Sequence, residues 1–187
     1  MRSPALCLLL LITAPLAAVA QPVEPGKEGE LALILKPEPG AHACFRREYD
    51  QEHLTAHPKQ TVTAMELRLA YHRHDPDTNN PEGQRNYYFD LIVKRRGKDK
   101  TASGGGECTA YEDRISCGID CDGGGFFLKR AKDGKSLVVD FGEKWGIRLT
   151  EGCGEDESDY TELKPGADDK SFRLDPSSAA CPAYEQW

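Results

Sequence analysis

Apolar side chains occupy every second position through most of residues 61–150, and this alternation constrains the fold more than any other feature of the sequence. Within residues 65–71, and again within residues 87–93, apolar side chains point one way and mostly charged side chains point the other. A period of two is typical of antiparallel strands that bury one face. The chain is therefore predicted to be mainly β.

The Asp133–Gly134 dipeptide predicts a β-hairpin, because Asp-Gly favours the two-residue turns that join antiparallel strands. A two-residue loop there sets Leu128 opposite Val139 and brings the apolar residues of both strands to one face, as a well-specified register requires. A three-residue loop at 142–144 would then continue the meander, with Val139 opposite Ile147.

Together the alternating segments predict an antiparallel meander of about eight strands. Closure into a barrel, complete or nearly so, would remove exposed strand edges, and a β-sandwich is the alternative. One short helix is expected near residues 50–57, where Asp50 is a suitable N-cap and Pro58 follows the last position. The strands are expected near residues 31–36, 61–73, 85–96, 100–111, 114–120, 125–131, 136–141 and 145–150, with a further short strand at 171–174.

The first twenty residues have the three parts of a secretory signal peptide, namely a basic start, a short apolar run and small residues before position 20. The apolar run is too short to span a membrane as a helix. We therefore expect cleavage and export, to a periplasm or out of the cell. The expected organisation is a leader at 1–20, a flexible Pro/Gly tail at 21–30 and a single β-rich domain at 31–187, with an acidic C-terminal extension from about residue 152.

Seven cysteines are present, and six of them follow the leader. An even number in an exported chain predicts disulfide bonds, because that compartment is oxidising, although six cysteines allow fifteen pairings. The fold is accordingly expected to be cross-linked by disulfides. The candidates are Cys44, Cys108, Cys117, Cys121, Cys153 and Cys181.

One pairing follows from strand register. A two-residue turn between the strands of Cys108 and Cys117 would set these residues opposite each other at a non-hydrogen-bonded position, where a cross-strand disulfide can form. Cys181 is expected to tie the C-terminal segment to the body of the domain through either Cys153 or Cys44.

The charge balance argues against a nucleic-acid partner. The chain carries 24 Lys and Arg against 31 Asp and Glu, a formal net charge of -7. Binding to phosphate backbones relies on Lys and Arg, so an acidic domain is poorly suited to it. We expect no membrane span in the mature chain, and a small molecule or an extracytoplasmic protein as the partner.

Four histidines form two pairs that could bind a zinc-type metal ion. His53 and His57 are four residues apart on the predicted helix, and His72 and His74 share one face of a strand. Neutral imidazole is a common metal ligand. No glutamate follows His53 in the position that supplies the base of a zinc hydrolase, so metal-assisted hydrolysis is an alternative only.

A second candidate metal site could bind calcium. Asp75, Asp77 and Asn79 place oxygen donors at alternate positions, as a calcium-binding loop begins. Asn80 and Asn86 stand where such a loop needs glycine and a bidentate glutamate. Calcium is therefore the one cofactor that the sequence suggests, and the other interpretation is a solvated turn.

No catalytic set of residues emerges, because a GxSxG motif is absent and the cysteines are expected in disulfides. The strand arrangement over residues 61–150 resembles that of lipocalin-type barrels and of small periplasmic barrels that inhibit lysozyme, although the lipocalin Gly-x-Trp motif is absent. We expect an exported binding protein that acts through loops at the rim of a rigid barrel. The alternatives are an inhibitor of a secreted hydrolase, using residues 75–84 or 117–125, and the metal-assisted hydrolase.

Overall fold

The computed structural model describes residues 23–24, 26–111, 114–120, 122–143, 145–149, 160–177 and 181–184. The leader, the predicted turn at Glu112–Asp113 between Cys108 and Cys117, Cys121, Cys153 and the acidic run 155–159 lie outside the described residues, and the predictions for them stay predictions.

Eight antiparallel strands close into a barrel, as predicted. Strands β1 to β7 pair in chain order, and β10 completes the wall by pairing with both β7 and β1. The elements are α1 (Leu31–Ile34), β1 (His42–Glu48), α2 (Gln51–Ala56), β2 (Val62–Arg73), β3 (Arg85–Arg95), β4 (Thr101–Tyr111), β5 (Arg114–Ile119), β6 (Gly124–Arg130), β7 (Leu137–Asp140), β8 (Ile147–Leu149), β9 (Thr161–Leu163) and β10 (Ser171–Pro176).

The inward side chains of these strands fill the barrel. Phe126 is fully buried, and its ring centroid lies 5.1 Å from that of Phe89 and 6.0 Å from that of Phe141. Phe172 of β10 adds a fourth buried ring, 6.1 Å from Phe141. Eight strands enclose a space just wide enough for side chains to fill. The rims and the outer wall are therefore the surfaces on which recognition can take place.

The β6–β7 hairpin has the predicted register, with Leu128 opposite Val139. Its loop is longer than the predicted two residues. The backbone N–H of Ala131 donates to the carbonyl of Ser136 at 2.8 Å, and four residues lie between these two. In this loop Gly134 has φ +70°, which a residue without Cβ adopts readily. Since the loop grows by an even number of residues, the same side chains still face the core.

The predicted pairing of β7 with the next strand along the chain is wrong. Strand β7 pairs with β10, so that Val139 lies opposite Phe172 rather than Ile147. Strand β8 instead contacts β6, where Gly124 lies opposite Ile147, and it pairs with β9. Strand β7 pairs with β10 and not with β8, because β10 also pairs with β1. This arrangement leaves neither edge of the sheet unpaired. The short strand predicted at 171–174 is thus the closing strand of the barrel.

Two predictions near the N-terminus also differ from the structure. The strand expected at 31–36 is helix α1, where Leu31 and the C-cap residue Leu35 are buried at a helical spacing of four, while Leu33 is 59% exposed. Strand β1 was not predicted, because its buried residues Cys44 and Phe45 are adjacent instead of alternating. Neither described helix is long enough to cross a membrane.

Two disulfides cross-link the described residues. The Cys108–Cys117 bond joins directly opposed residues of β4 and β5, as predicted. The Cys44–Cys181 bond attaches the C-terminal segment to β1, which decides between the two partners that the sequence left open for Cys181.

Candidate functional site

A cleft of about 440 Å³ opens at one rim of the barrel, between helix α2 and the start of β10. Aromatic and imidazole rings line the cleft together with cationic side chains, and the guanidinium carbon of Arg47 lies 5.9 Å from the centre of the Tyr49 ring. We define this rim cleft by Tyr49, His53, His57, Arg47, Lys170 and Arg173.

Helix α2 places the two histidines. The side chain of Asp50 accepts a hydrogen bond from the backbone N–H of His53 at 2.8 Å, so Asp50 is the N-cap, as predicted. The spacing of four residues puts His53 and His57 on one face, with ring centroids 4.4 Å apart. The ring of Tyr49 lies 4.6 Å from that of His53. The three rings therefore form a continuous wall.

Buried polar contacts fix the rings in place. The imidazole Nε2 of His53 lies 3.0 Å from the side-chain oxygen of Gln60, whose amide nitrogen donates to the carbonyl of Val62 at 2.7 Å. Burial raises the pKa of Tyr49 to about 12, although the positive charge of Arg47 acts in the opposite direction. Tyr49 thus presents a neutral hydroxyl group at physiological pH.

Three cations line the same cleft, and each is positioned by an ion pair. Their side chains are about half exposed, so they remain accessible to a ligand. The hydrogen bond to Glu143 raises the pKa of Lys170, which is therefore charged at neutral pH. The ion pairs are Arg47 with Asp175 at 2.8 Å, Lys170 with Glu143 at 2.8 Å, and Arg173 with Asp133 at 2.7 Å.

The arrangement suits an anion that also carries a flat or apolar part. Among the described residues that line the rim cleft, Asp168 is the one carboxylate, and it already accepts a hydrogen bond from the backbone N–H of Lys59 at 3.1 Å. Guanidinium and ammonium groups form strong, charge-assisted hydrogen bonds with carboxylates and phosphates. Because His53 is stacked between Tyr49 and His57, the exposed ring of His57 at the end of the stack is the one against which the flat part of such a ligand can pack.

The other predicted histidine pair lies at the opposite end of β2, a strand of 12 residues. There the ring centroids of His72 and His74 are 4.5 Å apart, and Nε2 of His74 lies 2.8 Å from the hydroxyl of Tyr88. The ring of Tyr184 stacks on Tyr88 at 4.8 Å. The structure therefore does not bring the two histidine pairs together.

The residues predicted to bind calcium lie in the loop between β2 and β3. One carboxylate oxygen of Asp77 accepts hydrogen bonds from the backbone N–H groups of Asn79 and Asn80, both at 2.7 Å. These bonds hold the pKa of Asp77 below its ordinary value. Within the described parts of the chain, no group of three or more His, Cys, Asp or Glu side chains is arranged to bind a metal ion. Zinc-type binding and calcium binding stay predictions.

Sequence reasoning missed Tyr49 and the three cations of the rim cleft. Arg47 comes from the end of β1, whereas Lys170 and Arg173 come from the N-terminal end of β10, more than a hundred residues later. The short strand predicted at 171–174 was the one indication of these residues in the sequence. Placing Lys170 and Arg173 beside Arg47 would also have required the pairing of that strand with β1.

No model of a known protein family matches this chain, and neither a curated protein nor a solved structure does.

Proposed function

We propose that the chain is an exported binding protein that holds a small anion in the rim cleft. The ligand would be a carboxylate or phosphate attached to a flat ring. One observation carries the proposal: the ring wall of Tyr49, His53 and His57 and the three positioned cations Arg47, Lys170 and Arg173 line the same cleft.

Preorganisation supports this assignment. Half-exposed ion pairs add little to the stability of a protein, so the pairs made by Arg47, Lys170 and Arg173 have more effect on position than on folding. A cation that is already held in place loses less conformational freedom when a ligand binds, and this favours affinity. The contact of His53 with Gln60 has the same effect on the ring wall.

Export is part of the proposal and rests on two features. The first twenty residues have the composition of a secretory leader. Disulfide bonds such as Cys44–Cys181 and Cys108–Cys117 form and persist in oxidising compartments.

Calorimetric titration of the chain from residue 21 with phenyl phosphate tests the proposal. We expect saturable binding, weaker binding of inorganic phosphate, which lacks the ring, and no binding of benzyl alcohol, which lacks the charge. Loss of one charge-assisted hydrogen bond is worth about 1.5–3 kcal/mol, so Lys170→Gln should weaken binding about tenfold or more. Lys36→Gln, an exposed lysine outside the rim cleft, is the matched control. Equal affinity in the Lys170→Gln variant and the unmodified chain would reject the rim cleft as the site.

A second candidate function has one specific observation in its favour. The loop between β2 and β3 is held from within, because the guanidinium of Arg73 donates two hydrogen bonds to the carbonyl of Glu82, at 2.9 and 2.6 Å. The backbone N–H of His74 also donates to the carbonyl of Gln84 at 2.8 Å. Inhibitors of hydrolases typically bind with preformed surfaces that move little. The alternative is therefore an inhibitor that inserts residues 75–84 into the cleft of a secreted hydrolase.

Assays against secreted glycosidases and proteases distinguish the two candidates. Inhibition that is lost in an Arg73→Ala variant and kept in the Lys170→Gln variant would favour the inhibitor. Phenyl phosphate binding without inhibition of any of these enzymes would favour the anion-binding protein.

A further inference from the structure

A segment near the C-terminus lies against the outer wall of the barrel and is attached to it in two ways. The ring of Tyr184 stacks on that of Tyr88 in β3, with centroids 4.8 Å apart and ring planes 5° apart. Three residues earlier, Cys181 is bonded to Cys44 of β1. We call residues 181–184 the strap.

The surface beneath the strap belongs to the outer face of the sheet, yet it is buried. Ala70 lies between Leu69 and Tyr71, which point into the core, so Ala70 points outward; it is nevertheless 0% exposed. Asn86 shares the outer face with Tyr88, two residues further along the strand, and is 2% exposed. This part of the outer wall is therefore covered by protein, and the strap is in contact with it.

The covered surface keeps one polar atom without a partner. The side-chain amide of Asn86 donates to Oε2 of Glu107 at 2.9 Å, while its carbonyl oxygen is buried and has no hydrogen-bond partner among the described residues. A buried acceptor without a partner destabilises the covered state, and exposure to water removes that penalty. Burial also raises the pKa of Glu107. The strap thus closes over polar groups that are better hydrated when uncovered.

The two disulfides differ in their access to solvent. Cys108 and Cys117 belong to the barrel core and are 1% and 0% exposed. Cys44 lies outside the core cluster, and Cys181 in the strap is partly exposed. A disulfide is reduced by attack of a thiolate on one of its sulfurs, so an accessible disulfide is the more labile one. The bond that holds the strap is therefore the one that a reductant reaches first.

We propose that the Cys44–Cys181 disulfide is a redox latch whose reduction releases the strap from the outer wall while the barrel stays closed. A thiolate of a protein dithiol attacks Sγ of Cys181, the S–S bond breaks, and Sγ of Cys44 leaves as a thiolate that takes a proton from water. The second thiol of the dithiol then attacks the mixed disulfide, which frees the thiol of Cys181 and leaves the dithiol oxidised.

Barrel closure does not depend on the strap. Strand β10 ends at Pro176, before the strap begins, and it pairs with β1 and β7 through its backbone. The surface that the latch uncovers is also separate from the rim cleft, because His72, whose ring centroid is 5.2 Å from that of Tyr184, lies at the other end of β2. Anion binding and the latch can therefore fail their tests independently.

Graded reduction with dithiothreitol under native conditions, followed by alkylation and mass spectrometry, tests the latch. We expect alkylation of Cys44 and Cys181 to be about tenfold or more faster than that of Cys108 and Cys117, because access to the sulfur limits the exchange. Far-UV circular dichroism should keep the signal of the sheet when the first bond is broken. Equal rates for the two bonds, or loss of the sheet signal together with the Cys44–Cys181 bond, would overturn the proposal.

Chemical modification of histidine measures release of the strap. Diethyl pyrocarbonate should modify His72 several-fold faster after reduction of Cys44–Cys181, because the ring of Tyr184 no longer lies beside it. His57, which is exposed at the opposite end of the barrel, is the internal control and should react at the same rate in both states. An unchanged rate at His72 would show that the strap stays in place without the bond, and equal acceleration at His57 would show general loosening. Either result rejects the latch.

A variant with the disulfide intact tests the ring contact. Tyr184→Ala removes the stack on Tyr88, and the loss of one aromatic pair should raise the population of the open strap about two- to tenfold. We expect the modification of His72 to accelerate by the same factor. Tyr111→Ala, at an exposed tyrosine of β4 outside the strap, is the matched control and should leave that rate unchanged. Equal rates at His72 in the two variants would contradict the assignment of Tyr184 as the contact that seats the strap.

Discussion

Asp133 organises the loop between β6 and β7 although its side chain is close to the solvent. Its carboxylate accepts hydrogen bonds from the backbone N–H groups of Lys135 and Ser136, at 3.0 and 2.9 Å. The hydroxyl of Ser136 and the guanidinium of Arg173 donate to it as well, both at 2.7 Å. The pKa of Asp133 lies well below its ordinary value, mainly because Ser136 and Lys135 donate hydrogen bonds to the carboxylate. One carboxylate therefore joins a loop, a strand end and the rim cleft through Arg173.

Asp133→Asn should make the stability of the protein less sensitive to acid. A carboxylate whose pKa is lowered by folding adds stability above its unfolded pKa, and that stability is lost as the pH falls towards the folded pKa. We therefore expect a lower melting temperature than the unmodified chain at neutral pH, and a difference between the two that narrows as the pH falls below about 4. Thermal unfolding followed across this range checks the expectation, with Asp99→Asn on another exposed loop as the control. Parallel curves for the Asp133→Asn variant and the unmodified chain would contradict it.

At the scale of the elements, strand register could be predicted wherever a local turn determines it. The predicted pairs Leu128–Val139 and Cys108–Cys117 are both observed, because each lies in a hairpin between neighbouring strands. The pairing of β7 could not be predicted in this way, since β10 reaches it from far along the chain. Local alternation fixes which face of a strand is buried, but it carries no information on which distant edge the strand will meet.

The same limit applied to the rim cleft. The spacing of His53 and His57 along a short helix predicted a shared face, and their rings are 4.4 Å apart. Lys170 and Arg173 line the same cleft as these rings only because β10 pairs with β1, a contact that the sequence pattern does not encode locally. The shared face of the two histidines, which depends on local geometry, was therefore predictable, whereas Tyr49 and the cations that barrel closure brings to the cleft were not predicted.

Phe172→Ala in β10 should destabilise the protein strongly, because this side chain is fully buried in the strand that closes the barrel. Truncation of a buried phenylalanine typically costs about 3–5 kcal/mol in the free energy of unfolding. Ser171→Ala, at the exposed neighbouring position of the same strand, should change it by less than about 0.5 kcal/mol. Urea denaturation measures both values. A Phe172→Ala variant as stable as Ser171→Ala would mean that β10 contributes little to barrel closure.

At the scale of the whole molecule, the two disulfides restrict the unfolded chain to very different extents. Cys108 and Cys117 are 9 residues apart, whereas Cys44 and Cys181 are 137 residues apart. In the chain-entropy account, the longer the loop that a disulfide closes, the more it stabilises the fold. The Cys44–Cys181 bond also connects the closing region of the barrel to the C-terminal segment, so it acts on the entire sheet.

Removal of each disulfide by paired alanine substitutions should therefore have unequal effects. We expect a loss of about 5 kcal/mol for Cys44→Ala with Cys181→Ala, and about 3 kcal/mol for Cys108→Ala with Cys117→Ala. Guanidinium denaturation of the two variants beside the unmodified chain measures the difference. A larger loss for the shorter loop would show that strain or local packing, and not chain entropy, determines their contributions.

Barrel closure also has a consequence for how the protein is made. During synthesis β1 emerges early and β10 near the end. Strand β1 therefore lacks its neighbour β10 until almost the whole polypeptide has been made. Cys108 and Cys117 lie between Cys44 and Cys181 in the sequence, so both are present to react with Cys44 before its native partner is. Premature oxidation would trap a wrong cross-link, and the yield of native protein should depend on a thiol–disulfide isomerase that can reverse it.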